Sequence, residues 1–199
     1  MLQQPKKIVA IGPECTGKST LCELLSQRFN TAWVPEFARE YLLTHGKDYS
    51  YDDLLTIAKG QIASEEDYIQ SITGNRKPAN ENPPHSPLST PHSPLFIDTD
   101  MYVMKVWCEF VFGKCHQWII DQIVSRKYDL YLLCNTDLPW VKDELREYPD
   151  LETREKLFHI YKDIMINQNT SWVEIGGNYD QRAETAIEAI NKLIAPGKK

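Results

Sequence analysis

A short motif near the amino terminus is suited to holding the phosphates of a nucleotide. Residues 12–19 read Gly-Pro-Glu-Cys-Thr-Gly-Lys-Ser, which fits the pattern G-x-x-x-x-G-K-[ST] in full. In such a loop the backbone N–H groups point at phosphate oxygens, Lys18 neutralises the β and γ phosphates, and the Ser19 hydroxyl ligates Mg²⁺. We therefore predict that the chain binds ATP and Mg²⁺, with Lys18 also serving catalysis. The predicted nucleotide-binding residues of the loop are Gly12, Pro13, Glu14, Cys15, Thr16, Gly17, Lys18, Ser19 and Thr20.

Two carboxylates follow apolar runs at which strands are expected. Asp98 ends one such run, where a Walker-B carboxylate would hold Mg²⁺ directly or through water, so we predict Asp98 and Ser19 as the metal ligands. Glu36 follows another run and would lie near the phosphate loop in a parallel sheet. There it could accept the proton of an acceptor hydroxyl or bind the substrate. The alternative for Glu36 is a carboxylate in the first turn of a helix, which the helix dipole favours.

Asp100 and Arg39 allow both structural and functional interpretations. Asp100 comes two residues after Asp98 and could bind substrate or metal. Alternatively, it could be the N-cap of the helix that follows, since aspartate is a preferred capping residue. For Arg39 the structural alternative is an ion pair with Glu36 or Glu40.

A charged stretch after the fourth expected strand could form a lid. Small kinases close an arginine-bearing lid over the transferring phosphate and exclude water that would hydrolyse ATP. We predict such a lid over residues 137–156, with Arg146 as a catalytic residue and Arg154 as a nucleotide ligand. The alternative for both arginines is a solvated helix face.

The order of apolar runs and helical patterns indicates how these residues are positioned. Apolar runs typical of buried strands alternate with segments in which apolar residues recur at helical spacing. This alternation predicts an α/β P-loop NTPase fold as a single domain over residues 1–199, with a parallel sheet of about five strands, helices on both faces and a short lid. Ligands are then expected at the carboxyl ends of the strands. The strands are expected at residues 8–11, 32–36, 96–98, 128–134 and 171–175.

One segment interrupts this alternation. Residues 73–94 are rich in Asn, Pro, Ser and His, and Pro-His-Ser-Pro-Leu occurs there twice. Such a composition cannot build a core, and prolines are excluded from the interiors of helices and sheets. We predict a flexible, exposed insertion. A proline motif that binds a partner and metal binding through His85 and His92 are the functional alternatives.

The overall composition excludes several classes of function. A net charge of −6 and a pI near 5.4 argue against a general nucleic-acid binder. The five cysteines are odd in number and lack C-x-x-C spacing, which fits a reducing compartment. With no signal peptide and no apolar stretch near 18 residues, we expect a cytoplasmic protein without a membrane segment, acting on a small molecule; the sequence leaves the oligomeric state open.

Taken together and in order, five segments resemble the ribosylnicotinamide (nicotinamide riboside) kinase domain of bacterial bifunctional NAD-biosynthesis regulator proteins. The likeness spans nearly the whole chain. A phosphate loop alone is widely shared, whereas Glu-x-x-Arg-Glu after the second strand and Trp-Val-x-Asp-x-x-Arg in the lid are particular to this group. The five segments are residues 12–20, Pro35-Glu-Phe-Ala-Arg-Glu-Tyr41, Phe96-Ile-Asp-Thr-Asp100, Tyr-Asp-Leu-Tyr-Leu-Leu from Tyr128, and Trp140-Val-Lys-Asp-Glu-Leu-Arg146.

This resemblance implies ATP-dependent phosphorylation of the 5′-hydroxyl of nicotinamide riboside to nicotinamide mononucleotide, a step of NAD salvage. It also implies Asp98 near the metal and Glu36, Arg39 and Asp100 in or near the nucleoside pocket. In the bifunctional proteins an adenylyltransferase with a His-x-Gly-His motif precedes the kinase. Only 11 residues precede Gly12 here, so we expect that this chain does not make NAD by itself.

Two departures and two rival functions accompany the resemblance. Glu144 stands where the pattern has Gly, and the 73–94 insertion is foreign to it. A kinase for another nucleoside or for a nucleotide would use the same phosphate machinery. A regulatory ATPase or binding module would use nucleotide only to switch a loop. A GTPase is disfavoured because the chain lacks an Asn-Lys-x-Asp motif.

Overall fold

The apolar runs form the strands of one parallel sheet. The computed structural model describes residues 4–72 and 93–195, and in this part of the chain five strands pair in the order β2-β3-β1-β4-β5. All four pairings are parallel, which confirms the predicted fold class. The strands are β1 (Lys7–Ile11), β2 (Trp33–Val34), β3 (Leu95–Asp98), β4 (Leu130–Cys134) and β5 (Trp172–Ile175).

Helices connect the strands and cover both faces of the sheet. Alternate residues of β1 point to opposite faces, so Ile8 and Ala10 pack in one core cluster with α1 and α7, while Val9 and Ile11 pack in another with α4 and α6. A strand buried on both sides must be apolar throughout, as the run at residues 8–11 is. The helices of the described residues are α1 (Lys18–Phe29), α2 (Phe37–His45), α3 (Tyr51–Ile72), α4 (Met101–Phe112), α5 (Gln117–Ser125), α6 (Leu151–Asn167) and α7 (Tyr179–Ile194).

The register of the central strands brings the phosphate loop and the predicted metal ligand to the same edge. β1 lies between β3 and β4, and Ala10 is paired with Asp98. The loop that follows β1 therefore starts beside the end of β3. This edge is a topological switch point, where open α/β sheets bind their ligands.

Three boundaries differ from those expected. β2 is limited to Trp33–Val34, because Pro35 has no N–H to donate to a neighbouring strand. α7 begins at Tyr179, earlier than its apolar pattern suggested, because Asn178 and Gln181 form a capping box. α6 begins at Leu151, so residues 151–156 of the predicted lid are helical.

Most of the predicted insertion lies outside the described residues, which resume at Ser93. Across residues 4–72 and 93–195, no helix has the length and apolar character needed to cross a bilayer.

Candidate active site

The phosphate loop takes a path that only glycine permits at its two fixed glycine positions. Gly12 has φ +138°, and a Cβ there would lie 2.6 Å from the carbonyl oxygen of Cys134. Gly17 has φ +77°, and a Cβ there would lie 2.9 Å from Leu138 Cδ1. Both positions combine a backbone conformation that L side chains rarely adopt with too little space. The phosphate loop thus packs closely against the end of β4 and the residues that follow it.

The loop ends at the amino terminus of a helix that no side chain caps. Gly17 is the N-cap of α1 and makes no side-chain cap hydrogen bond. The unpaired N–H groups and the helix dipole together favour an anion at this point. Lys18 folds back over the loop, where its Nζ donates to the carbonyl oxygens of Gly12 at 3.0 Å and Pro13 at 2.9 Å.

Buried Arg182 holds the phosphate loop through hydrogen bonds, and the sequence did not predict this role. The Arg182 guanidinium donates to the carbonyl oxygens of Thr16, Asn135 and Gly177 at 2.8 to 2.9 Å, and it pairs with Asp137. Arg182 is only 2% exposed, so these bonds tie the phosphate loop to the ends of β4 and β5. An arginine on the apolar face of α7 was the available signal, since arginine is rarely fully buried unless paired.

Ser19 and Asp98 meet at the base of the loop. The Ser19 hydroxyl donates to Asp98 Oδ2 at 2.5 Å, while Asp98 Oδ1 is buried and has no hydrogen-bond partner. The pKa of Asp98 is raised to about 7, first by burial and then by the nearby charge of Glu36, while Lys18 and the Ser19 hydrogen bond oppose the shift. An unpartnered buried carboxylate oxygen calls for a proton or a cation.

These residues fit the Mg²⁺ ion that the fold implies. A hydroxyl and a carboxylate are the hard oxygen ligands that Mg²⁺ prefers, and this ion commonly takes one or two carboxylates, with the remaining ligands from waters and phosphates. The described residues contain no group of three or more His, Cys, Asp or Glu side chains able to hold a metal. Ser19 and Asp98 could therefore hold Mg²⁺ when a nucleotide supplies the other oxygens.

Glu36 is held toward Asp98 by a residue in a strained conformation. Glu36 occupies the N-cap position of α2, where the helix dipole favours a carboxylate, and its side chain makes no cap hydrogen bond. Instead its Oε1 accepts a hydrogen bond from Thr99 Oγ1 at 3.3 Å. Thr99 has φ +78°, which is rare for a β-branched residue and is typical of functional sites. Thr99 directly follows Asp98, so this hydrogen bond joins the Glu36 side chain to the end of β3.

A cavity of about 480 Å³ opens above these groups. The loop residues 12–20 line one side of it, together with Glu36, Arg39, Asp98 and Arg146. Most of the predicted site residues are therefore brought together. Asp100 and Arg154 do not line this cavity.

Asp100 is a structural residue in this arrangement. Its Oδ1 accepts hydrogen bonds from the backbone N–H groups of Tyr102 at 2.9 Å and Val103 at 3.4 Å, which is the N-cap interaction of α4. Its Oδ2 accepts from the Tyr131 hydroxyl at 2.8 Å. Burial raises the pKa of Asp100 to about 6. Because both oxygens are engaged away from the cavity, the capping alternative describes Asp100, and the predicted substrate contact is corrected.

Arg154 differs from both of its predicted roles. It is 4% exposed, so the solvated helix face is wrong. It lies in α6 beneath the cavity wall, so the predicted nucleotide contact is also not made in this conformation. Its Nε and Nη1 are buried without a hydrogen-bond partner.

An ion pair joins α2 to the predicted lid. Arg39 Nη2 lies 3.0 Å from Asp143 Oδ2, and Nη1 donates to Oδ1 at 3.3 Å. The partner of Arg39 is thus Asp143 and not Glu36 or Glu40, because residue 143 is carried across the cavity mouth. This bidentate contact lowers the pKa of Asp143.

The phosphate loop also holds the lid segment directly. The Glu14 carboxylate accepts from the backbone N–H groups of Glu147 at 3.0 Å and Tyr148 at 2.6 Å. Cys15 Sγ accepts from the backbone N–H of Val141 at 3.2 Å. Arg146 Nη1 donates to the carbonyl oxygen of Val141, so its guanidinium turns back on the segment itself.

The far side of the cavity is aromatic, and the sequence did not predict this. Trp107, Phe110 and Tyr148 line it, and the Phe110 and Tyr148 rings meet edge to face with centroids 5.5 Å apart. Trp107 Nε1 donates to the Tyr49 hydroxyl at 2.9 Å, which satisfies the indole. The only signal was a helical pattern over residues 102–112 that is apolar except for Lys105 and Glu109, so apolar residues occupy more than one side of the helix and must pack against several neighbours.

A family comparison agrees with this geometry. The family described as AAA domain matches residues 7–182, from the start of β1 to the arginine that braces the loop. The chain belongs to the AAA domain family. The matched region of this AAA domain contains every described residue that we have placed in the site.

Curated relatives extend the comparison beyond the AAA domain. The chain is 27% identical over 194 residues to the trifunctional NAD biosynthesis/regulator protein NadR of Escherichia coli (strain K12), and 27% identical to the protein of that name from Salmonella typhimurium (strain LT2). Each match covers 95% of this chain and 43% of the relative. This confirms the resemblance to bacterial NAD-biosynthesis regulators. The chain spans less than half the length of these relatives.

Solved structures share the fold of this AAA domain. A NadR protein in complex with NR superposes with a TM-score of 0.68 at 19% identity, covering 98% of this chain and 53% of that one. Thymidylate kinase from Ehrlichia chaffeensis gives 0.62 at 14% identity, covering 96% and 99%. At these identities the likeness shows the fold alone. The parallel five-stranded sheet and its helices thus have a kinase-like P-loop fold.

Proposed function

We propose that this protein transfers the γ-phosphate of ATP to the 5′-hydroxyl of nicotinamide riboside, giving nicotinamide mononucleotide. The observation that carries the proposal is the convergence of the phosphate loop, the Ser19–Asp98 pair and Glu36 on one cavity. Phosphoryl transfer needs positioning and charge stabilisation more than covalent help, and these groups supply both. The NadR structure solved in complex with NR supports the choice of acceptor.

Each charged residue has a distinct part in this proposal. The loop N–H groups and Lys18 bind the β and γ phosphates. Ser19 and Asp98 hold Mg²⁺, which supplies positive charge to the phosphates when bound. Glu36, fixed by Thr99, orients the acceptor hydroxyl and accepts its proton.

The remaining wall of the cavity suits a cationic aromatic base. Trp107, Phe110 and Tyr148 present ring faces and edges, and Glu147 adds a carboxylate at the same wall. The pyridinium of nicotinamide riboside carries a positive charge, which aromatic faces and carboxylates attract. A neutral nucleobase would gain less from this wall.

The cationic groups argue against a nucleotide as the acceptor. A monophosphate would need a free arginine in the acceptor half of the cavity. Arg39 is there, but both of its terminal nitrogens face Asp143. We assign Arg39 to holding the lid over the acceptor.

We also propose that residues 137–156 act as the lid of a single domain. Glu14, Cys15 and Arg39 hold it against the site. With the lid closed over ATP, the Arg146 guanidinium would reach the transferring phosphate by leaving the Val141 carbonyl oxygen. Arg154 would contact the nucleotide only if the start of α6 moved with the lid.

A screen for ADP release tests the proposal. Purified protein with ATP and Mg²⁺ is offered nicotinamide riboside, common nucleosides, deoxynucleosides and nucleoside monophosphates in parallel. We expect nicotinamide riboside to give the highest kcat/KM, with nicotinamide mononucleotide as the product. Preference for a monophosphate would indicate a nucleotide kinase. ATP loss that no acceptor accelerates would indicate a regulatory ATPase.

A further inference from the structure

One buried amide in α3 connects the two acidic residues of the site without lining the cavity. Gln61 is 2% exposed and belongs to the middle of α3. Buried polar side chains are hydrogen-bonded, and their partners show what they hold in place.

Gln61 makes three hydrogen bonds, all to the backbone of site segments. Its Oε1 accepts from the Phe37 N–H at 2.7 Å, and its Nε2 donates to the carbonyl oxygens of Asp98 at 3.2 Å and Pro35 at 3.4 Å. Pro35 and Phe37 flank Glu36. One side chain therefore ties the backbone on both sides of Glu36 to the backbone of Asp98.

Only an amide satisfies this arrangement. One partner is a donor and two are acceptors, so the side chain must offer one acceptor and two donors, which is the inventory of glutamine. A carboxylate of the same shape would put an oxygen against two carbonyl oxygens. An apolar side chain of the same length would leave three backbone groups without a partner.

The residue before Gln61 brings the amide within reach. Gly60 lies against the Phe37 ring, and a Cβ at Gly60 would lie 2.2 Å from Phe37 Cε1. Because Gly60 has no side chain, α3 can approach the start of α2 closely. This approach brings Gln61 Oε1 within 2.7 Å of the Phe37 backbone nitrogen. Gly60 and Gln61 are thus both needed for the close contact between α3 and Phe37.

We propose that Gln61 is a positioning residue that fixes the spacing between Glu36 and Asp98, and through it the alignment of acceptor and Mg²⁺. This rests on the proposed function for the role of Glu36. The part that concerns Asp98 and Mg²⁺ does not depend on the identity of the acceptor.

The chain offers a matched control at the opposite ends of the same two strands. Thr31 is 5% exposed, and its hydroxyl donates to the carbonyl oxygen of Pro94 at 2.7 Å, linking the segments that lead into β2 and β3. Thr31→Val removes a buried bond between these segments far from the site. Like Gln61→Met, Thr31→Val removes buried hydrogen bonding between these segments, but it leaves the spacing between Glu36 and Asp98 unchanged.

The test compares Gln61→Met, Gln61→Glu and Thr31→Val in the full chain. For each folded variant, kcat and KM are measured with ATP and nicotinamide riboside. Binding of a non-hydrolysable ATP analogue is titrated with and without Mg²⁺. For Gln61→Met we expect kcat to fall at least about tenfold and the half-saturating Mg²⁺ concentration to rise at least about threefold. The affinity for the analogue without Mg²⁺ should stay within about twofold of the wild-type value. Thr31→Val should resemble wild type in kcat, in Mg²⁺ dependence and in analogue binding.

Three outcomes would overturn the proposal. One is a folded Gln61→Met with wild-type kcat and Mg²⁺ dependence. Another is Thr31→Val losing as much turnover as Gln61→Met. The last is failure of both Gln61 variants to fold, which would make the residue structural. If wild-type protein phosphorylates no acceptor, the proposed function fails, but the Mg²⁺ titration still decides the role of Gln61.

Discussion

The backbone N–H of Tyr148 donates to the carboxylate of Glu14 at 2.6 Å, so a phosphate-loop side chain holds the segment that covers it. The same carboxylate accepts from the N–H of Glu147. The phosphate loop thus also holds the segment that covers it. Opening the cover therefore requires breaking two charge-assisted hydrogen bonds.

Glu14→Ala should loosen this cover. We expect faster hydrogen exchange at the amides of Glu147 and Tyr148, because their acceptor is gone, and faster dissociation of ATP. Exchange followed by mass spectrometry checks the first, and stopped-flow binding checks the second. Glu23→Ala on the exposed face of α1 is the control. Unchanged protection of the two amides would show that Glu14 does not hold the segment.

Lys18→Ala should abolish phosphoryl transfer and leave the fold intact. The substitution removes the charge that compensates the β and γ phosphates but no buried apolar surface. We expect turnover below about a hundredth of wild type with a Tm within about 2 °C. Lys192→Ala on exposed α7 serves as the control. Retention of more than about a tenth of the activity would refute the assignment.

Asp98→Asn and Asp100→Asn should separate a metal ligand from a helix cap. A neutral amide is a weaker ligand for a hard cation, so Asp98→Asn should lose activity that raised Mg²⁺ only partly restores. Asp100→Asn should keep the wild-type Mg²⁺ dependence and lower stability by about 1 kcal/mol, since an amide oxygen still caps a helix. Activity against Mg²⁺ concentration decides between them, and a reversed result would exchange the two roles.

Glu36→Gln should depress kcat strongly and leave ATP affinity near wild type. The lost interaction lies on the acceptor side of the phosphates, so we expect a fall of about 10² to 10⁴ in kcat. Steady-state kinetics with nicotinamide riboside and binding of an ATP analogue measure the two effects. ATP binding weakened as much as turnover would place Glu36 with the nucleotide.

The buried Asp98 should make the metal-free protein less stable as the pH rises. Its pKa of about 7 in the folded state exceeds the ordinary value of 3.8, so between about pH 4 and 7 the folded protein retains a proton that the unfolded chain has lost. Stability contributed by this proton is complete at low pH and is lost on approach to pH 7. Asp98→Asn should therefore raise Tm at pH 8 in EDTA and change it little at pH 4.5. Equal shifts at both pH values would contradict the assignment.

The sheet and the phosphate loop could be predicted because their signals are local. The apolar run before Gly12 and the helical spacing after Lys18 each occupy a few consecutive residues. Asp98 could be placed as well, since a carboxylate at a strand end has few alternatives. The position of Asp100 left two roles open, and only the contacts with Tyr131 and the α4 amides decided them.

The missing parts of the site depend on contacts between distant segments. Asp143 is 104 residues from Arg39, and no local pattern pairs them. Arg182 and Gln61 bond mostly to backbone groups, which nearly every residue possesses, so the sequence does not mark those partners. Thr99 takes a left-handed conformation that its residue type disfavours, so propensity pointed away from it.

The parallel register of the sheet has a practical consequence for labelling the protein. β3 enters the sheet at Leu95, level with Lys7 of β1, while the phosphate loop and Asp98 lie at the opposite ends of both strands. A strand of this length separates the two edges by about 13 Å. A fluorophore attached to the Ser93 side chain would therefore lie on the side of the sheet remote from the phosphate loop, where it could report on nucleotide binding without blocking it.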